Sequence, residues 1–268
     1  MSTQPQPEPD IQVGYPDFWP VVFRKHERFF SVAQSYGRLI DDVFGVAMRE
    51  PIHKVCRQLA KGVGNSMCAV MLLGMNGFGI DALKIARCMI EAAVNVAYLR
   101  KHPEEFDDYF DFHFIVATKR YDYMEKFSPE SIAKLTPAAI TSTQKGYTRI
   151  VSRYTNKNGK VRGRWSKKPF SAMCAELGLQ EHYLTFYDFA SHIIHGDVSG
   201  MMAQADPEEG VLDVDIAPSE QFVDMALQTA HFAFVLATAE YIAMARPDKQ
   251  DVPEQLHKDF ELAWKPEV

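Results

Sequence analysis

Apolar residues recur at spacings of three and four over most of the chain, and this periodicity predicts α-helices. It is clearest over Ile52–Leu73, over Ser219–Ala245 and in a central helix near 80–101, which is apolar on nearly its whole circumference and therefore predicted to be buried. Alternation with a period of two never persists for a strand's length outside 148–164 and 211–216. The pattern predicts an all-α fold, a single bundle of roughly eight to ten helices.

Proline-rich segments set the predicted domain boundaries. Residues 1–20 contain five prolines and predict a disordered arm. Residues 21–246 are interpreted as a single helical domain, and 247–268 as a C-terminal tail with a short helix. Ser128-Pro129 and Thr136-Pro137 are typical helix starts, because a hydroxyl cap precedes a proline in the first turn.

Two further segments have the helical spacing, Val21–Arg49 and Gln180–His195. Ser219 is the predicted cap of the closing helix Ser219–Ala245. Gly196 follows the second of these segments and is typical of the left-handed residue that ends a helix.

A single line of polar residues breaks the apolar surface of the central helix. At about 100° per residue its members share one side of the helix; they are Lys84, Arg87, Glu91, Asn95 and Tyr98. An unpaired buried charge is expensive, so the line must meet polar partners. Either Arg87 and Glu91 form a structural ion pair, or Arg87 binds an anion and Glu91 orients it.

A second polar constellation lies near the end of the 180–195 segment. Tyr187, Ser191 and His195 line one face, and Asp188 and His192 form an i, i+4 pair beside it. A histidine held by a carboxylate is suited to act as a general base. The alternative is a capped helix with hydrogen-bonded histidines at a packing seam. The candidate catalytic residues are Arg87, Glu91, Ser191 and His195, and the candidate ligand-binding residues are Asn95, Tyr98, Tyr187 and His192.

A basic stretch follows the middle of the chain. No acidic residue occurs between 131 and 175, and the turn sequence Asn156–Lys160 predicts a basic loop or small hairpin near 155–166. Cations interleaved with aromatic residues suit a phosphate backbone and its bases. The candidate nucleic-acid-binding residues are Arg149, Arg153, Lys160, Arg162, Arg164 and Trp165. The alternative is a solvated loop that balances the acidic segment 206–215.

Composition excludes several classes of protein. A net charge of −6 argues against a wholly basic nucleic-acid binder but permits a local basic patch. The four cysteines are scattered without a zinc spacing, and we expect buried free thiols in a reducing cytoplasm. Glu50 and His53 form a lone ExxH string, whereas di-iron sites need two. We predict no metal site, no cofactor, no membrane segment and a cytoplasmic protein.

With these residues in view, the chain resembles the bacterial family catalogued as domain of unknown function 5677. The resemblance covers roughly Ile52–Ala245 and depends on three strings, GFGIDALKIARCMIEAAVNVAYL, RWSKKPFSAMCAELGL and YDFASHIIHG. Position by position, it points to Arg87, Glu91, Tyr187, Ser191 and His195. It implies an all-helical domain and no established activity.

The chain is more distantly similar to the HEPN helical bundles, some of which are toxin or antiviral ribonucleases. Those enzymes place an arginine and a histidine close together on one helix. Arg49 and His53 come nearest to this spacing without matching it, so a nuclease here would combine Arg87 with His195.

Three hypotheses follow. The first is a helical bundle that binds an anionic ligand or partner in a cleft lined by the Arg/Glu helix and the Ser/His helix. The second is a metal-independent ribonuclease or phosphodiesterase of the toxin or defence type. The third makes the polar line a purely structural network. The partners to consider are RNA or another phosphate-bearing ligand, a protein, and a second copy of the chain.

Overall fold

The computed structural model describes residues 14–202 and 218–265, apart from the side chains of Met201 and Met202. The described residues confirm the all-α prediction, and their only β contacts are isolated bridges between Phe78 and Ser219 and between Thr155 and Val161. The helices are α1 Trp19–Lys25, α2 Glu27–Ala33, α3 Tyr36–Phe44, α4 Pro51–Met75, α5 Gly79–Lys101, α6 Phe106–Phe127, α7 Pro129–Ile132, α8 Pro137–Tyr154, α9 Phe170–Glu176, α10 Gln180–His182, α11 Phe189–His195, α12 Val198–Met202, α13 Val223–Ala245 and α14 Val252–Trp264. None of these helices is long and apolar enough to span a bilayer.

The chain divides into two compact units. The described residues of Met1–Ala97 and of Leu179–Val268 form the first unit, and Tyr98–Gly178 forms the second. The domain boundaries predicted from the sequence, at 20/21 and 246/247, remain predictions.

The core of the first unit lies between α4 and α13. Most of α13 is buried, and α4 approaches it closely because glycines face it. A Cβ at Gly74 would lie 3.4 Å from Leu227, and a Cβ at Gly64 would lie 3.6 Å from Phe234. At the start of α5 the backbone of Gln221 comes so near that a Cβ at Gly79 would be 2.1 Å from its carbonyl oxygen. Only glycine fits that position without displacing the backbone.

A buried histidine links α13 to the helices on either side of it. His231 on α13 is fully buried, and its Nδ1 accepts a hydrogen bond from Nε1 of Trp264 at 3.0 Å. Because an indole nitrogen can only donate, the proton of the neutral ring is on Nε2, which donates to the Tyr36 hydroxyl at 2.5 Å. Burial lowers the pKa of His231 to about 3. The helix predicted in the C-terminal tail corresponds to α14, which packs on α13.

Two predicted helices have other bounds in the structure. The Val21–Arg49 segment is divided into α1, α2 and α3, since His26 leaves the helical region and Ser35 bonds back to the carbonyl of Val32. Ser219 does not cap α13. Its backbone nitrogen instead donates to Gly77, and α13 starts only after Phe222, at φ +62°.

The predicted helix over Gln180–His195 is also interrupted. Its first turn is α10, and its middle, Tyr183–Asp188, is a π-helix that leads into α11. Gly196 then adopts the left-handed conformation predicted for it, with φ +60°.

Asn76 anchors the segment that precedes α1. Residues 1–13 of the predicted arm lie outside the described residues, whereas a helical turn covers Pro16–Phe18. The Asn76 side-chain oxygen accepts from the backbone nitrogen of Tyr15 at 2.7 Å and from Nε1 of Trp19 at 3.1 Å. Two long-range hydrogen bonds therefore fasten this segment to the end of α4.

Replacing Asn76 with Ala is expected to lower the free energy of unfolding by about 2 kcal/mol, because both donors lose their acceptor. Urea denaturation measures this change. Trp19→Phe is the matched control, since it removes one of the two donors and keeps the hydrogen bond from Tyr15, and it should lose about half as much. Equal losses in the two variants would contradict the anchoring role.

The second unit is built on α6 and α8. A Cβ at Gly146 of α8 would lie 2.3 Å from the ring of Phe114, so only glycine allows the two helices this approach. Ile115, Ile150 and Tyr154 form the small buried core beside it. Thr136 caps α8 as predicted, with its hydroxyl oxygen accepting from the backbone nitrogen of Ala139.

The prediction that all four cysteines are buried is wrong for two of them. Cys68 and Cys88 are exposed, because an apolar sequence context does not decide which way a helix turns each position. Cys56 and Cys174 are buried, and burial raises the pKa of each thiol to about 12.

Candidate functional site

Four of the predicted site residues meet in one polar cluster in the first unit. Arg87 on α5 donates through Nε to the Ser191 hydroxyl at 2.8 Å and through Nη2 to the Tyr187 hydroxyl at 2.7 Å. Its guanidinium also lies 4.4 Å from the centre of the Tyr187 ring. Arg87 of the polar line thus contacts the face that contains Tyr187 and Ser191.

The same cluster also engages Glu91. The Tyr187 hydroxyl donates to Glu91 at 2.7 Å, and Nη1 of Arg87 lies 3.6 Å from the other Glu91 oxygen. The Ser191 hydroxyl donates to the carbonyl of Tyr187 at 2.7 Å. Burial, together with the hydrogen bond to Glu91, raises the pKa of Tyr187, so its hydroxyl stays a proton donor.

Access to this cluster is one-sided. The Arg87 side chain is only 14% exposed, whereas that of Glu91 is 42% exposed. Two of the three guanidinium nitrogens donate hydrogen bonds within the cluster, and the third faces Glu91. The arrangement clamps α5 to the 187–191 face, and an incoming anion would have to displace Glu91 to reach Arg87.

The π-helix Tyr183–Asp188 positions Tyr187 for this clamp. Its wider turn places the ring of Tyr187 beside Arg87 and 5.4 Å from the ring of Tyr183. π-Helical turns are rare and are often found at functional sites. The apolar and polar spacing of the sequence carries no signal for this turn.

Neither histidine of α11 has a hydrogen bond or ion pair with the cluster. His195 is exposed at the end of α11 and has no hydrogen-bond or ion-pair partner among the described residues. His192 lies with Nδ1 2.6 Å from Asp197 and Nε2 3.7 Å from Asp188. The hydrogen bond to Asp197 raises the pKa of His192. The Ser191 hydroxyl accepts from Arg87, and no histidine of the described residues is hydrogen-bonded to it as an activating base.

Three members of the polar line remain. Lys84 pairs with Asp81 at 2.8 Å, and Asn95 is partly buried one turn beyond Glu91. Tyr98 belongs to the second unit, where it is fully buried and its hydroxyl donates to Glu105 at 3.1 Å.

The predicted basic hairpin is present in the second unit. We use this name for residues 155–168. The Thr155–Val161 bridge closes it, and the side-chain oxygen of Asn156 accepts from the backbone nitrogens of Asn158 and Lys160. Gly159 occupies a left-handed position at the tip, with φ +75°. The loop is therefore an ordered turn whose tip is held by the Asn156 side chain.

Three of the predicted nucleic-acid-binding arginines are paired with aspartates of α6. Arg149 contacts Asp111 at 3.2 Å, Arg153 contacts both Asp108 and Asp111, and Arg162 lies 3.5 Å from Asp108. Arg162 also lies 4.7 Å from the ring of Tyr154. These three arginines fasten α8 and the hairpin to α6.

Four other cations of the hairpin have no acidic partner among the described residues. They are exposed, and we call them the free cations: Lys157, Lys160, Arg164 and Lys167. Sequence reasoning selected Lys160 and Arg164 but missed Lys157 and Lys167, although all four belong to the same acid-free stretch. Trp165 is not available as a base platform on this loop, because its ring packs edge-on against Tyr98 at 5.8 Å and Tyr109 at 5.1 Å.

A carboxylate network holds the end of the hairpin. Lys168 pairs with Glu176 of α9, and the same carboxylate lies 2.7 Å from Nε2 of His102. Nδ1 of His102 lies 3.0 Å from Glu104. Partial burial opposes the charge of His102, but the hydrogen bonds to Glu104 and Glu176 together raise its pKa. The hairpin is thus held at both of its ends.

Positive charge is concentrated in the second unit. Tyr98–Gly178 contains fifteen Lys and Arg residues and nine Asp and Glu residues, a net charge of +6, whereas the whole chain carries −6. A net positive charge on these 81 residues favours an acidic partner. In the described part of the chain, no group of three or more His, Cys, Asp or Glu side chains is arranged to hold a metal ion.

Comparison with known proteins assigns the chain to a family but does not assign it a function. The model of a family of unknown function, DUF5677, matches residues 53–211, which include both the Arg87 cluster and the basic hairpin. No curated protein and no solved structure is significantly similar to the chain, so the likeness to HEPN bundles stays a hypothesis. Since the match covers more than half of its length, the chain belongs to the DUF5677 family of unknown function.

Proposed function

We propose that this protein is a non-enzymatic binding module that holds the phosphate backbone of a nucleic acid on its basic hairpin. The four free cations carry the proposal: they are exposed, close together in sequence, and without acidic partners among the described residues. Lysine and arginine side chains bind phosphates by neutralising them and releasing their counterions. A hairpin fixed at its tip and its ends presents these charges at little entropic cost.

The Arg87 cluster supports this role less well. An anion site needs a guanidinium with open donors, whereas Arg87 already donates to Tyr187 and Ser191. A catalytic role is weaker still. A metal-independent nuclease needs a base beside the 2′-hydroxyl, and His195 shares no hydrogen bond with the Arg87 cluster.

The hairpin is tested by removing all four free cations together, as Lys157→Gln, Lys160→Gln, Arg164→Gln and Lys167→Gln. We expect the affinity for a fluorescent single-stranded RNA to fall at least tenfold at low salt, because about four phosphate contacts are lost. In a plot of the logarithm of the association constant against the logarithm of the salt concentration, the slope should become shallower by about 3. Fluorescence anisotropy over a salt series measures both quantities.

The matched control removes the same charge from exposed positions outside the hairpin and outside α6. It combines Lys54→Gln, Lys61→Gln, Lys134→Gln and Lys145→Gln. The control should keep most of the salt slope, because these side chains lie outside the hairpin. A wild-type protein that binds no RNA, or two variants that lose affinity equally, would overturn the proposed function.

A further inference from the structure

A stripe of residues at heptad-like spacing follows one side of α6. Its members alternate at intervals of four and three and are Tyr109, His113, Val116, Arg120, Tyr123 and Phe127. Tyr109, the first member, packs against Trp165 of the basic hairpin at 5.1 Å. Beyond this contact the stripe is open, with exposures of 53% for Val116, 67% for Tyr123 and 68% for Phe127. The hairpin therefore covers only the beginning of a longer exposed face.

The open end of the stripe carries two exposed aromatic rings. Those of Tyr123 and Phe127 are nearly parallel, with an interplanar angle of 20° and centroids 6.2 Å apart. Nζ of Lys126 lies 5.0 Å from the Phe127 ring. Exposed aromatic rings among cations are the usual platform for unpaired bases, because every base has a π-face.

Charge beside the stripe favours a polyanion over a protein helix. Lys119 and Arg120 are exposed and have no acidic partner among the described residues. The acidic residues nearby, Asp122 and Glu125, lie at least about 100° around the helix from the Tyr123–Phe127 side. A second helix packed on the stripe would meet His113 and Arg120 at its seam, which apolar seams avoid.

The length of the stripe suits several nucleotides. Tyr109, where the hairpin packs, and Tyr123 are separated by about 21 Å along the helix axis, at 1.5 Å per residue. Arg164 and Lys167 flank Trp165 at the hairpin end of this path, and Lys126 lies at the aromatic end. Both ends belong to the second unit, so one strand could contact both.

We propose that a single-stranded nucleic acid runs along α6, with its bases stacked on Tyr123 and Phe127 and its phosphates on the basic hairpin. The proposal deepens the proposed function and depends on it. It names the ligand class as single-stranded, because bases that are paired in a duplex cannot reach the two rings. It also assigns the aromatic platform to α6, since Trp165 is already packed.

The experiment compares the wild type with the double variant Tyr123→Ala and Phe127→Ala on three probes. These are a short single-stranded RNA of mixed sequence, an abasic strand of the same length and the corresponding duplex. The double variant should bind the single-stranded RNA about tenfold or more weakly, because stacking on two rings is lost. Its affinity for the abasic strand and the duplex should match that of the wild type.

Phe110→Ala is the control, since it truncates a half-exposed aromatic side chain of α6 that lies off the stripe. It should leave all three affinities unchanged. Equal binding of the three probes by the wild type, with no effect of the double variant, would overturn the platform while leaving the hairpin in place. Loss of self-association in light scattering without loss of RNA affinity would also overturn it, by showing that the stripe binds another helix. Failure of every probe to bind the wild type would overturn the proposed function instead.

Discussion

Replacing Arg87 with Met is expected to lower the free energy of unfolding by about 3 kcal/mol. The substitution keeps the apolar stem but removes the donors to Tyr187 and Ser191. It also leaves the Glu91 carboxylate without the guanidinium beside it. Urea denaturation at neutral pH measures the loss, and affinity for RNA should not change.

Glu91→Gln serves as the matched control for this clamp. Glu91 is nearly half exposed, so removing its charge should cost less than about 1 kcal/mol. The result that would contradict the clamp is an Arg87→Met variant as stable as the wild type but deficient in binding an anionic ligand. That outcome would favour an anion-binding site at Arg87 on α5.

Lowering the pH from 7 to 4 is expected to remove about 3 kcal/mol of stability through His231 alone. The pKa of His231 is about 3 in the folded chain, and that of an unfolded histidine is about 6.5. Above pH 6.5 the ring is therefore mostly neutral in both the folded and the unfolded chain, and folding requires no loss of a proton. As the pH falls below that value, only the unfolded chain takes up the proton, and the stability is progressively lost until the pH reaches about 3.

Carboxylates that are paired in the folded chain also titrate in this range. The contribution of His231 is therefore measured as the difference between the wild type and a variant that lacks this histidine. His231→Gln should be less stable at pH 7, yet its unfolding free energy should fall by about 3 kcal/mol less than that of the wild type on going to pH 4. His257→Gln, at an exposed histidine of α14, is the control and should follow the wild type. Parallel pH profiles for the wild type and His231→Gln would contradict the assignment.

Helical spacing predicted much of the first unit because its polar residues lie on helices that are otherwise apolar. Arg87 and Glu91 needed partners, and the face containing Tyr187 and Ser191 offered them at matching spacing. His195 shares that spacing but is exposed where α11 ends at Gly196. Periodicity predicts on which side of its helix a side chain lies, but not which residues of other helices lie opposite it.

The division among the basic residues could not be predicted, since it depends on contacts distant in sequence. Asp108 and Asp111 lie some forty positions before Arg149 and Arg153, and only the packing of α6 on α8 brings them together. Likewise, Trp165 is an aromatic residue in a basic loop by sequence but a packing residue in the structure. The charge pattern located the basic hairpin, and the tertiary contacts separated its structural cations from its free ones.

The π-helix Tyr183–Asp188 also determines which changes of length this part of the chain tolerates. An i→i+5 turn holds one residue more than an α-helix accommodates. Removing one residue there would restore the α-helical pitch and leave the residues after it facing as before, so that Ser191 would still face Arg87. Removing one residue from α11 before Ser191 would instead rotate that side chain by about 100° and turn it away from Arg87.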